Sequence, residues 1–176
     1  AWWGLKRFTT DREYFAWQQQ QLSRTELNQL AAQAERKRSG DRREDISFYD
    51  LTAQPAVLPV LYSQRYDYYG TVGLRVMTRV GNAQRVCDFG CGVGILTTFY
   101  ARQFPDREFV GLDRSAASIA AAQQKARALG LANVCFDCVD AETEQLSGRY
   151  DLIVATHALV QAEQDPGIPS DSCRTF

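Results

Sequence analysis

Gly90, Gly92 and Gly94 stand at alternate positions after Arg85-Val86-Cys87-Asp88-Phe89, and Ile95 to Gln103 follows with helical character. An apolar run carrying an acid, then spaced glycines, then a helix reads as a strand, a tight turn and a helix N-terminus. Glycines in such a turn let a ligand reach bare backbone, because a Cβ would block the approach or forbid the required φ. The helix start adds unpaired N–H groups and the positive end of the helix dipole. A ligand suited to that place is anionic or strongly polar, in the manner of a nucleotide.

Carboxylates follow at informative places. Asp113 lies nineteen residues after Gly94, closing the apolar run Phe109-Val110-Gly111-Leu112. An acid at such a strand end can accept two hydrogen bonds from ribose hydroxyls, as it does in dinucleotide sites. Asn133 to Asp137 reads as a third strand, followed by Val139-Asp140-Ala141, and Tyr150 to Ala155 as a fourth, with His157, the single histidine, beyond it. The dinucleotide fingerprint G-x-G-x-x-G/A needs a small residue where Ile95 stands. A nicotinamide dehydrogenase is therefore the weaker reading.

The register D-x-G-x-G-x-G from Asp88 to Gly94, with Asp113, Asp140-Ala141 and Tyr150-Asp151-Leu152-Ile153-Val154-Ala155 in order, resembles the class I S-adenosylmethionine-dependent methyltransferases. The likeness covers residues 84–166, about half of the chain. It implies a cofactor, S-adenosyl-L-methionine (SAM), and a role for each motif residue. Gly90, Gly92 and Gly94 pass beneath its methionine and ribose, and Asp88 receives its ammonium, directly or through water. Asp113, with Arg114 beside it, holds the ribose. Asp140 and the Ala141 backbone meet the adenine amino group. His157 lines the reactive end or serves as a base, since an unperturbed histidine titrates near 6.5. The family's amino-methylating branch carries Asn/Asp-Pro-Pro-aromatic after its fourth strand. Here the sequence is Ala155-Thr156-His157-Ala158, so methylation of adenine or glutamine nitrogen loses support.

Other readings of the same acids are structural. Asp88 could cap the glycine turn as an Asx motif, Asp113 could cap the following helix, and Asp140 could be a surface acid. Cys135-x-x-Cys138 lies in the third strand rather than at a helix start, and no second C-x-x-C exists. The cysteines are read as small buried apolar residues in a reducing, cytoplasmic setting.

The elements that must position these residues are legible in outline. Thr10-x-x-Glu13 and Ser23-x-x-Glu26 have capping-box form, predicting helices over 11–21 and 24–38. The mixed-charge run Glu35 to Asp45 reads as a solvated linker. Pro55 and Pro59 bracket a turn. Tyr62, Tyr66, Tyr69, Gly73, Val76, Met77 and Val80 recur at helical spacing, ending at Gly81. That stripe is read as core packing rather than as a ligand lid. Ser115 caps a helix over 116–129 with Gly130 as its stop. Strands separated by helices of this length give a parallel sheet.

The expected fold is α/β: a Rossmann-like parallel sheet in the order 3-2-1-4, preceded by a helical extension over 1–80, with the partial core over 81–176. A net charge of −1 on 176 residues gives no reason to expect nucleic acid or an anionic membrane as partner. The apolar runs fall far short of the roughly 20 residues that span a bilayer. The chain opens Ala1-Trp2-Trp3 without an initiator Met and ends soon after the fourth strand. It is read as a segment of a longer polypeptide, whose remainder would be one partner and a small-molecule methyl acceptor another. Leu152 to Val154 then fall on an open sheet edge. The expected function is SAM-dependent methyl transfer; the alternative is a non-catalytic SAM-binding module of a multidomain protein.

Overall fold

A computed structural model describes residues 4–38, 40–141, 143–144 and 148–156. Among them the order is α1 (Asp11–Gln21), α2 (Arg24–Lys37), α3 (Arg42–Thr52), α4 (Leu58–Ser63), α5 (Tyr66–Val80), β1 (Arg85–Phe89), α6 (Ile95–Gln103), β2 (Glu108–Asp113), α7 (Ala116–Ala128), β3 (Val134–Cys138) and β4 (Leu152–Ala155). The four strands are parallel and ordered β3-β2-β1-β4, as expected. Register places Val86 beside Phe109 and Leu152, and Asp88 beside Gly111 and Val154.

Alternation along the strands decides the two faces. Val86, Phe109 and Val154 point to one side, where they pack with Leu96, Phe99 and Tyr100 of α6 and with Val80 at the end of α5. Phe136 of β3 joins the same side against Ile119, Ala122 and Ala126 of α7. On the opposite face Cys87, Val110 and Leu112 pack with Phe89, Val139 and Tyr150, none of them helical. β4 is an edge of the sheet formed by the described residues, and Ile153 is 53% exposed there.

The N-terminal caps form as predicted. Thr10 Oγ1 accepts from the Glu13 amide, and Ser23 and Glu26 complete a reciprocal capping box. Two expectations fail. The long helix expected before Gly81 is broken at Gln64–Arg65 into α4 and α5. The charged run is not a linker: α2 continues to Lys37, and Asp41 then caps α3 by accepting from the Arg43 amide at 2.7 Å. Asp45 is buried (3% exposed) because Lys37 and Arg114 both pair with it. Burial of a charge needs such partners, and their positions are invisible in a local reading.

The cysteines also depart from expectation. Cys87 is buried, but Cys135 and Cys138 are exposed, because β3 is an edge strand of the described sheet and Cys135 lies on the face that no described helix covers. Cys173 lies outside the described residues. No described helix is long and apolar enough to cross a membrane.

Candidate functional site

The glycine loop joins the C-terminal end of β1 to the start of α6. All three glycines adopt positive φ, at 72°, 53° and 69°. Gly94 precedes α6 in a left-handed conformation, and a Cβ there would meet Ala122 Cβ at 2.8 Å. Close packing on α7 therefore demands glycine as much as the turn does. The loop is pinned to β2 at three points. The Gly90 and Cys91 amides both donate to the Leu112 carbonyl, at 2.8 and 3.0 Å. The Gly92 amide donates to Asp113 Oδ2 at 2.8 Å.

Asp113 does not cap α7, a role that Ser115 takes by accepting from the Ser118 amide. Asp113 Oδ1 instead accepts from the Ser115 amide at 2.9 Å, and the Arg114 amide contributes as well. A carboxylate offers about four acceptor directions, so roughly one remains for an outside donor. Burial pushes its carboxyl above the usual range, against the pull of these three amides.

Asp88 does not cap the glycine turn. It is 2% exposed beneath it, and Thr97 Oγ1 of α6 donates to its Oδ2 at 2.5 Å. Its Oδ1 has no hydrogen-bond partner among the described residues. Desolvation, opposed by Thr97 and reinforced by Asp113, pushes the carboxyl up to about 7. An unpaired carboxylate oxygen buried under a helix-opening loop fits a cationic donor such as an ammonium. The residues present therefore suit the cofactor that the sequence motif implies.

Asp140 follows β3 and is not a free surface acid. Arg42 of α3 pairs with it, and its side chain is 18% exposed. Arg114 follows β2 and pairs with Asp45. Ala141 is exposed. His157 lies outside the described residues. Asp88, Asp113, Arg114, Asp140 and the glycine loop therefore gather along the C-terminal edge of β1, β2 and β3. That is where open α/β sheets bind ligands.

Sequence reading missed the cover over this edge. Leu5 and Ala53 pack on Val93 and Ile95, with Tyr62, Tyr66 and Tyr69 around them. The Tyr62 hydroxyl lies 3.8 Å from where a Gly92 Cβ would stand. Tyr62 and Tyr69 stack with ring centroids 6.0 Å apart, and burial pushes the Tyr62 hydroxyl up to about 12. The tyrosine stripe is core, as read, but its upper end roofs the glycine loop. Beside it a cavity of 330 Å³ is lined by Thr9, Tyr14, Ser63, Arg65 and Tyr68 among others. The Tyr68 hydroxyl is close enough to Asp88 for their charges to interact.

A family model described as a methyltransferase domain matches residues 81–171, just over half of the chain. Trans-aconitate 2-methyltransferase of Deinococcus radiodurans is 40% identical over 75 residues, 43% of this chain and 27% of that protein. The enzyme of the same name from Yersinia pestis (strain Pestoides F) is 44% identical over 46 residues, 26% of this chain and 18% of that protein. The chain thus spans well under a third of the length of these curated relatives. Among solved structures, magnesium protoporphyrin IX methyltransferase from Synechocystis PCC 6803 with bound S-adenosylhomocysteine (SAH) is 30% identical. Its TM-score is 0.45, over 53% of this chain and 42% of that one. The match to the family model, which takes in the whole glycine loop, β2, β3 and β4, places this chain in the class I SAM-dependent methyltransferase family.

Proposed function

We propose that this chain is the cofactor-binding part of an enzyme that moves a methyl group from SAM to a small-molecule oxygen, nitrogen or carbon acceptor. One observation carries the reading: Asp88, whose buried Oδ1 has no partner among the described residues, and Asp113, tied to the Gly92 amide, flank the same glycine loop. SAM supplies a methyl group on a sulfonium, already a good leaving group. The protein's work is then to hold, orient and exclude water.

Asp88 would receive the ammonium, and Gly90, Gly92 and Gly94 the methionine and ribose. Asp113 offers its remaining acceptor direction to a ribose hydroxyl, with Arg114 adjacent. Asp140 and the Ala141 backbone face the adenine amino group, and His157 belongs to the reactive end. The tyrosine roof keeps water from the loop. The trans-aconitate relatives make a carboxylic acid the first acceptor to try.

Isothermal titration with SAM, SAH and NAD in parallel tests this. SAM and SAH should bind more tightly than NAD. Equal or tighter NAD binding overturns the assignment. SAH binding without transfer to any acceptor selects the alternative, a SAM-binding module.

A further inference from the structure

Three polar links tie α3 to the C-terminal edge of the sheet. Arg42 pairs with Asp140 after β3, Asp45 pairs with Arg114 after β2, and Ser115 Oγ donates to Asp50 Oδ1 at 2.6 Å. From Arg42 to Asp50 the helix runs about 12 Å, at 1.5 Å per residue. It passes over the end of β3 and then of β2. The chain returns through α4 to set Tyr62 above Gly92, at the end of β1. Lys37 Nζ, 3.2 Å from Asp45 Oδ1, ties that same carboxylate of α3 to α2 as well. The residues held by α3 are those to which the proposed function gives the adenosine.

We infer that α3 is a strap closed over the adenosine end of the cofactor site, and that cofactor exchange requires Arg42 to release Asp140. This inference rests on the proposed cofactor reading. Its physical content is specific. A guanidinium and an adenine amino group compete for one carboxylate. A helix fastened by ion pairs must also loosen before a nucleoside can pass beneath it. The Arg42–Asp140 pair, with side chains 38% and 18% exposed, is the strap's more accessible ion pair and is screened in part by salt, so exchange should be modestly faster at high ionic strength. Loosening the strap should raise the association and dissociation rates together and change the equilibrium constant less.

The test uses the 176-residue chain and SAH, with association and dissociation rates followed at low and at high salt. Arg42→Gln keeps a polar side chain and removes its charge. It should speed both rates by about two- to fivefold at low salt, the span expected for one such pair. It should also blunt the salt effect seen in the parent. Asp50→Asn, which weakens the Ser115 link without touching the ion pairs, should speed both rates and leave the salt effect in place. Hydrogen exchange gives a second readout: α3 amides should exchange faster in Arg42→Gln while those of β1 do not change. If SAH binds and its rates are the same in all three proteins at both salt levels, the strap is wrong and the cofactor assignment stands. If SAH does not bind the parent, the assignment falls and this inference falls with it.

Discussion

The Gly92 amide donates to Asp113 Oδ2 at 2.8 Å, joining the glycine loop to the end of β2 across twenty-one residues of sequence. One carboxylate thus shapes the loop to which the proposed function assigns the cofactor. Because Ser115 and Arg114 amides also point at it, its geometry is set before any ligand arrives. Preorganisation of this kind lowers the ordering cost of binding.

Asp113→Ala removes both functions. Loss of a charge-assisted contact costs roughly 1.5–3 kcal/mol, about 10- to 100-fold in affinity. Asp113→Asn keeps one acceptor oxygen and should recover part of that loss. Titration with SAH reads both, and an unchanged dissociation constant in the alanine variant would show that the ribose lies elsewhere.

Asp88 sets a pH dependence. Its carboxyl rises from 3.8 to about 7 on folding, chiefly through desolvation. Between those values the folded protein holds a proton that the unfolded chain has lost, so stability falls as pH rises through that window. Asp88→Asn should flatten this slope in denaturant titrations and be the more stable protein above pH 7. SAH affinity should move the other way in the parent, strengthening as Asp88 ionises to meet the ammonium. That rise should be absent from the variant. A parent affinity that is flat between pH 6 and 8, a span chosen about the value near 7, would remove Asp88 from the ammonium site.

Gly111 is required for space. A Cβ there would lie 2.4 and 2.6 Å from the Phe136 ring and 3.0 Å from Cys91 Sγ. Overpacking of a core typically costs about 1–3 kcal/mol, so Gly111→Ala should lower the melting temperature by several degrees. Adding Phe136→Leu should return part of the loss, and failure to do so would place the cost in the backbone instead.

β4 carries an edge prediction. β4 is an edge of the sheet formed by the described residues and Ile153 is exposed there; an edge of this kind favours pairing with a second chain. The isolated chain should self-associate weakly, or its Leu152 to Val154 amides should exchange faster than those of Val86 to Phe89. Equal protection in a protein that sediments as a clean monomer would mean that the edge is covered.

Much of the fold was legible because its signals are local. β1 and α6 fall where the apolar run, the glycines and the helical pattern put them, and Ser115, Ser23 and Thr10 cap the helices that follow them. The motif residues could be named because a glycine loop, strand-end acids and their spacing are linear features. The fate of each acid was not. Asp88 binds Thr97 rather than the turn, Asp113 spends most of its acceptor capacity on backbone amides, and Asp140 is met by Arg42. The run from Glu35 to Asp45 looked solvated because its charges alternate along the chain. Its partners Arg114 and Asp140 are remote in sequence, and only folding brings them within reach of α3. By itself the sequence determined a parallel sheet with a nucleotide-shaped loop, since local sterics and periodicity specify both. Only the tertiary structure decided which carboxylates are buried, which are paired, and that a charged N-terminal helix is tied to the C-terminal edge of the sheet. Desolvation and charge pairing depend on what comes close in space, which spacing along the chain does not encode.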